Sequence, residues 1–318
     1  MPQQLPAVPA KSSQRVPAIE TERPSPRYSS IDLWKPSDVL DAMIDGQFAA
    51  VAAVRAARPA IERAALAMES RLGDEGRLIY AGAGTSGRLA VQDGAELMPT
   101  FSWPAERLVL LIAGGHEALI RAVEGAEDDV KHAQALIKSH RLGTSDVMIA
   151  LAASGTTPFT LACLRGAKRK GALTIGIANN PSTPILKEAD HPILLETGPE
   201  PIAGSTRMNA GTAQRITLSL LSSLLMIRLG RVYDGMMVEV QATNRKLARR
   251  SETMLMHLTG RKERDVRAAL AEADGSIKLA LLLLKGCDLK QAKSALARSK
   301  GQLRTAIASL GKHARRTR

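Results

Sequence analysis

The sequence predicts an α/β fold in which a parallel sheet is covered by helices on both faces, preceded by a helical segment and followed by a small helical bundle. Three observations lead there. Short runs with the character of buried strands recur between residues 77 and 195, separated by stretches of helical period. Two of those runs end in polar, glycine-containing turns that open helices. After Val240 the strand-like runs stop, and short helical stretches punctuated by Gly260, Gly275, Gly286 and Gly301 take over. Strands alternating with helices of this length imply right-handed crossovers, and therefore a parallel sheet with both faces buried.

In chain order, residues 1–16 are rich in Pro, Gln, Ala and Ser without an apolar period, and are expected to be a disordered leader. Residues 17–67 form an N-terminal helical segment. Its helical pattern runs over 36–72, where Val39, Met43, Phe48, Val51, Val54, Ile61, Ala65 and Met68 recur at three- and four-residue spacings. The α/β domain spans 68–231. It opens with a strand at 77–81, a glycine turn at 82–87 and a helix from 88 to about 97. A strand at 108–113 and a long helix at 117–140 follow. Next come a strand at 146–153, a turn at 154–158 and a helix to about 170. Short strands at 173–178 and 192–195 precede a long, largely buried helix at 206–229. Residues 232–318 make a C-terminal helical region with a basic tail.

Composition limits the function. The 318 residues carry a formal charge of +13, which taken whole suggests a nucleic-acid or membrane-surface partner. From Gln241 onward there are 19 Lys+Arg against 6 Asp+Glu, whereas the first 240 residues hold 25 of each. The catalytic part is therefore neutral, and the excess reads as a solvated surface and tail, with no nucleic-acid partner expected. Aromatics are only 3%, so the core must be packed with Ala, Leu, Ile, Val and Met. Cys163 and Cys287 cannot form a disulfide framework and neither has metal-ligand spacing, which points to a reducing compartment. The N-terminus lacks the apolar core of a signal peptide. The apolar stretch 216–227 is well short of the ~20 residues of a membrane span. A soluble, cytoplasmic protein without a membrane partner is expected.

Two turns carry the chemistry. Gly82-Ala-Gly-Thr-Ser-Gly87 matches the dinucleotide pattern G-x-G-x-x-G. The acid required at the end of the next strand is missing, however, since that strand ends in Ala113-Gly-Gly115. Ser154-Gly-Thr-Thr-Pro158 repeats the arrangement after another buried strand, with Pro158 suited to the first helical position. Such turns offer free backbone N–H groups and a positive helix end, while the hydroxyls of Thr85, Ser86, Ser154, Thr156 and Thr157 add donors. Two of them at one edge of a parallel sheet suit a phosphate dianion without a lysine; as isolated features they would be helix caps. A third cluster, Gly204-Ser-Thr-Arg207 with Ala210-Gly-Thr-Ala-Gln214, opens the long helix, where Ser205 and Thr206 can cap and Arg207 can reach an anionic group. Among the acids, Glu96 lies in a mostly apolar stretch, and partial desolvation there would suit it to proton transfer. Glu124 and Glu127 share a helix face three residues apart, and spacing does not choose between them.

These residues resemble the sugar isomerase (SIS) domain, through Gly76-Arg-Leu-Ile-Tyr-Ala-Gly-Ala-Gly-Thr-Ser-Gly-Arg-Leu-Ala90. More narrowly they resemble N-acetylmuramic acid 6-phosphate etherases. Thr21-Glu-Arg-Pro24, Ile112-Ala-Gly-Gly115, Ala122-Val-Glu-Gly-Ala-Glu-Asp-Asp129 and Ala152-Ala-Ser-Gly-Thr-Thr-Pro158 carry that resemblance. Gly198-Pro-Glu200, the Gly204 cluster and Val240-Gln-Ala-Thr-Asn244 complete it. The resemblance implies a flavodoxin-like, three-layer SIS domain, catalytic glutamates Glu96 and Glu127, and a substrate-binding set of Gly84, Thr85, Ser86, Ser154, Gly155, Thr156, Thr157, Glu200, Ser205 and Arg207. It implies a lyase that cleaves the D-lactyl ether of its sugar phosphate in peptidoglycan amino-sugar metabolism, with no metal and no redox cofactor, in a homodimer with sites near the subunit interface. Leu97-Met98-Pro99 stands where the family has Cys-Pro-Pro, and Asn209 where it has Lys, which would remove a positive charge near the site. The main rival is a non-catalytic sugar-phosphate sensor related to glucokinase-regulatory proteins, which carry two SIS units in a longer chain. An aldose–ketose phosphate isomerase lacks the Glu-Gly-Ala-Glu-Asp-Asp run. A DNA-binding regulator would need a helix-turn-helix for which the leader is too short and polar.

Overall fold

The computed structural model describes residues 19–240 and 245–316. The predicted leader lies outside the described residues, as do residues 241–244 of the Val240 motif and the end of the basic tail.

Helix α1 (Pro36–Leu72) starts with proline at its first position, where a missing N–H costs nothing, and spans the whole predicted periodic stretch. Strand β1 (Leu78–Gly82) leads into α2 (Gly84–Phe101), and β2 (Leu108–Ile112) follows. After β2 come two 3-10 turns, Gly115–Leu119 and Ala126–Asp128, and then α3 (Val130–Ser139). Strand β3 (Val147–Leu151), α4 (Pro158–Arg169), β4 (Leu173–Ala178), α5 (Pro184–Glu188), β5 (His191–Leu194) and α6 (Asn209–Arg228) complete the α/β part.

All five strands are parallel, in the order β2-β1-β3-β4-β5. Strands β1, β3 and β4 are buried at every position, which explains their unbroken apolar runs. Their period of two divides the core. Tyr80, Ile149 and Ile175 face α1, α2 and α6, while Ile79, Met148 and Ala150 face α3, α4 and α5. Each fully buried Leu, Ile or Met contributes about 1.5–3 kcal/mol relative to exposure.

Two expectations need correction. The helix predicted over 117–140 is broken: Gly125 takes a left-handed φ of 71°, and the Asp129 carboxylate accepts from the His132 N–H at 2.8 Å, capping α3 at its true start. Glu124 and Glu127 therefore do not share a helix face. The helix after the glycine turn begins four residues earlier than expected, at Gly84, leaving Ala83 alone between strand and helix.

The C-terminal region begins with a two-stranded hairpin, β6 (Val232–Tyr233) and β7 (Met236–Met237), which the sequence reading missed because each strand is two residues long. Helices α7 (Arg245–Thr259), α8 (Glu263–Glu272), α9 (Ile277–Leu284), α10 (Leu289–Arg298) and α11 (Leu303–Arg316) pack around a separate core that includes Leu255, Val266 and Leu281. Trp103 braces the approach to this region, next to Ser102, whose hydroxyl donates to the Glu239 carbonyl. It is buried between the guanidinium groups of Arg107 and Arg231, and Arg231 also donates to the Phe101 and Ser102 carbonyls.

Candidate active site

In this strand order the chain leaves β1 toward β2 and β3 toward β4, so the crossovers diverge and open a crevice at the C-terminal ends of β1 and β3. The two predicted turns occupy those ends. Both helices that start there lack a side-chain cap: Ala83 precedes α2 and Thr157 precedes α4, with Pro158 at the first position of α4. Their first-turn N–H groups stay available to an anion. At the second turn the Thr156 N–H donates to Ser154 Oγ at 3.2 Å, and the Ser154 and Thr157 hydroxyls lie 3.4 Å apart. Gly155 is held at φ 68°, and a Cβ there would fall 2.2 Å from Thr183 Oγ1, so only glycine lets the turn close onto Thr183. Gly84 and Thr156 are exposed, while Thr85, Ser154 and Thr157 are half-buried.

Ser86 has another task. It is buried, and its hydroxyl donates to Gln214 Oε1 at 2.8 Å. Gln214 Nε2 donates to Asn179 Oδ1 at 2.9 Å, and Asn179 Nδ2 to the Leu195 carbonyl at 3.1 Å. This buried chain ties the start of α2 to α6 and to the ends of β4 and β5. The neighbouring Asn180 donates to Thr21 Oγ1 at 3.0 Å and to the Ala153 carbonyl at 2.8 Å, which fastens the opening Thr21-Glu-Arg-Pro24 segment beside the second turn. Sequence reading missed Asn179 and Asn180, and gave Gln214 only as the end of the third cluster. The available signal was an Asn-Asn pair immediately after a buried parallel strand.

The third cluster departs from expectation. Ser205 and Thr206 do not cap α6. Glu200 does so from nine residues upstream, its two carboxylate oxygens accepting from the Asn209 N–H at 2.8 Å and the Ala210 N–H at 2.9 Å. Burial raises the Glu200 pKa, and the two N–H bonds only partly offset it. Asn209 is buried as well, and its Oδ1 accepts from Gln47 Nε2 of α1 at 3.2 Å. The residue at the family's lysine position thus faces α1, and its amide serves helix packing. Ser205 is half-buried and Arg207 exposed at the same rim.

The glutamates lie apart in one chain. Glu127 is exposed in the Ala126–Asp128 turn, which packs against α4. Val130, three residues on, lines one groove with Thr156 and Pro158, so Glu127 sits beside the second turn. Glu96 is on α2, twelve residues beyond Gly84, which at 1.5 Å per residue is about 18 Å along the axis. The expected desolvation of Glu96 does not occur, because its side chain is exposed. The buried acid of α2 is Asp93, which accepts from the Tyr80 hydroxyl at 3.0 Å and from Ser222 at 3.2 Å. Burial raises the Asp93 pKa, with those hydrogen bonds and Arg215 pulling the other way. One chain therefore sets the Ala126–Asp128 turn against α4, which the second turn opens, places Thr85 after the neighbouring strand β1, and carries Glu96 about 18 Å along α2.

A parallel 2-1-3-4-5 sheet with two uncapped, hydroxyl-bearing turns flanking its switch point agrees with an SIS-class α/β protein. Residues 60–168 match the glucokinase regulatory protein N-terminal SIS domain, and residues 127–224 match the SIS domain. A phosphoheptose isomerase from Francisella tularensis is similar to 61% of the chain over 100% of its own, with 20% identity and a TM-score of 0.47. An N-acetylmuramic acid 6-phosphate etherase from Deinococcus radiodurans is 49% identical over 90% of this chain and 94% of its own length. An N-acetylmuramic acid 6-phosphate etherase 2 from Vibrio parahaemolyticus is 41% identical over 91% of this chain and 97% of its own. The chain belongs to the N-acetylmuramic acid 6-phosphate etherase family, and is an etherase by that membership.

Proposed function

We propose that the protein is a carbon–oxygen lyase that cleaves the D-lactyl ether of N-acetylmuramic acid 6-phosphate, giving N-acetylglucosamine 6-phosphate and D-lactate. The observation that carries this reading is end-to-end similarity to relatives of that name, at 41–49% identity over nine-tenths of the chain. The two turns suit the 6-phosphate, because backbone N–H groups, helix ends and the Thr85, Ser154 and Thr157 hydroxyls all point to an anion held without a lysine.

The chemistry follows from the substrate. Ring opening exposes an aldehyde at C1 that acidifies the C2 proton. Glu127 removes that proton as the C3–O bond breaks, and Glu96 protonates the departing lactate oxygen. Water then adds across the resulting double bond, its hydroxyl to C3 and a proton to C2. Each proton-transfer group is worth on the order of 10²–10⁴ in rate. Glu200 fits a role behind the site better than one on the sugar, since both its oxygens already accept backbone N–H groups. The protein works as a cytoplasmic homodimer, with neither nucleic acid nor membrane as partner.

The test is incubation with N-acetylmuramic acid 6-phosphate and measurement of released D-lactate. Folded protein that releases none is not an etherase, and tight sugar-phosphate binding without turnover would instead favour a sensor. Ser154→Ala and Thr157→Ala should raise KM several-fold with a smaller change in kcat, the pattern of lost phosphate contacts.

A further inference from the structure

We propose that Arg88 is a positioning residue for Glu127, clamping the segment between β2 and α3 so that the carboxylate is held beside the second turn. The proposal rests on the etherase reading, in which Glu127 removes the C2 proton, and names what fixes that base in place.

The need for a clamp follows from the segment itself. Between Gly115 and Asp128 only Ala118 is buried, and residues 120–125 are exposed throughout. A stretch with so little apolar burial opens locally at low cost unless polar contacts fix it. Glu127 is itself exposed, so its own surroundings do not hold it. A base must come within hydrogen-bond reach of its proton, and a misplacement of about 1 Å costs on the order of 10² in rate.

Arg88 supplies the contacts. It lies near the start of α2, directly after the first glycine turn. Its Nε donates to the Ala118 carbonyl at 2.8 Å, and its Nη2 donates to the Arg121 carbonyl at 3.2 Å. A guanidinium is a rigid, permanently charged fork, so two such bonds set both the position and the angle of the turn they grip. The grip is passed along the backbone toward Glu127. Gly114 closes the segment onto Val123: its φ is 82°, and a Cβ there would fall 2.9 Å from Val123 Cβ. The Val123 carbonyl accepts from the Ala126 N–H at 3.4 Å, and the Gly125 carbonyl from the Asp128 N–H at 3.1 Å. The Ala126 carbonyl accepts from the Asp129 N–H at 3.3 Å, at the cap of α3. The Glu127 turn also packs against α4. It is thus held by α4 on one side and, through these turns, by Arg88 on the other. Arg88 acts on the backbone of this segment and not on the sugar. One side chain thereby ties the first glycine turn to the base.

The test compares variants with and without substrate. In Arg88→Ala, kcat for N-acetylmuramic acid 6-phosphate should fall roughly 10–100-fold. KM should change by less than about threefold, the pattern of a lost transition-state alignment. Arg88→Lys, which can reach one carbonyl, should recover part of the loss. Gly114→Ala keeps Arg88 but pushes Val123 outward, and should lower kcat in the same way. Without substrate, amide hydrogen exchange over residues 115–128 should quicken in Arg88→Ala, with β1 and β3 as protected as in the wild type. If β1 and β3 lose protection too, Gly114→Ala decides. A raised KM with unchanged kcat would make Arg88 an anion contact and overturn the proposal. Unaltered exchange over 115–128 would overturn it as well. A wild-type protein that releases no lactate is a separate result: it rejects the etherase reading, while the exchange comparison still decides the clamp.

Discussion

Glu200 and Asp146 are two acids whose surroundings push them in opposite directions, and each makes a measurable prediction. Glu200→Gln replaces one of two acceptors at the start of α6 with a donor facing an N–H, and should cost about 1–2 kcal/mol in urea unfolding. Because burial raises the folded pKa of Glu200, the native state holds its proton more tightly than the unfolded chain. Its contribution should fall as pH rises from the ordinary carboxylate range through the raised value. Asp146 behaves the other way. Burial alone would raise its pKa, but Arg77, paired at 2.7 Å, together with the Gly143 and Arg77 N–H groups, outweighs it and holds the pKa below the ordinary value. That stabilisation is complete above the ordinary aspartate pKa near ~3.9 and is lost as pH falls through the depressed one. Asp146→Asn should therefore cost on the order of 2–4 kcal/mol at neutral pH, and the deficit should shrink in acid. The sequence contained part of this. Ser86, Ala90, Asp93 and Leu97 repeat at helical spacing, so the buried face of α2 and its acid were readable, although Glu96, three residues on in the same mostly apolar stretch, drew attention instead. The Glu200 cap was not readable, because a cap nine residues upstream has no local signature.

At the scale of elements, the turn at Gly155 carries the sharpest prediction. Gly155→Ala puts a methyl group against Thr183 and strains a left-handed backbone, which should cost about 1–3 kcal/mol. It should also displace the Ser154 and Thr157 hydroxyls. The expected readout is a raised KM for the sugar phosphate alongside a lowered unfolding midpoint. The strands and α1 were legible because their signals are local: five or six consecutive buried residues, or a three-to-four spacing sustained for ten turns. The stretch between β2 and α3 was not, since its residues alternate well enough to mimic a helix. Its true form depends on the left-handed Gly125 and on which acid caps α3, and Asp129 prevails over the equally plausible acids before it. The turns themselves stand where the sequence placed them, each between a buried strand and the start of a helix. What remained hidden was that Ser86 is spent on a buried hydrogen-bond chain whose other members lie 93 and 128 residues away.

For the whole molecule, charge and fold divide at the same place. The basic excess begins after the α/β part, in helices that have their own core. The two regions are nevertheless joined firmly. The Gln302 amide donates to the Arg228 carbonyl at 2.6 Å, and the Ser102 hydroxyl donates to the Glu239 carbonyl. The basic helices therefore lie beside a neutral α/β part, and their field either reaches the crevice or does not. Electrostatic steering raises association rates by about 10–10³ and fades once the Debye length falls below the separation, near ~10 Å at 0.1 M salt. In the proposed function the sugar phosphate is held through N–H groups, hydroxyls and helix ends, all short-range and poorly screened. Raising the ionic strength from ~0.05 to ~0.5 M should thus change kcat/KM by less than about threefold, with most of any change in KM. A loss of tenfold or more would mean that the C-terminal helices steer the sugar phosphate, and charge-neutralising substitutions among Arg261, Lys262 and Arg264 would then reproduce the high-salt rate at low salt.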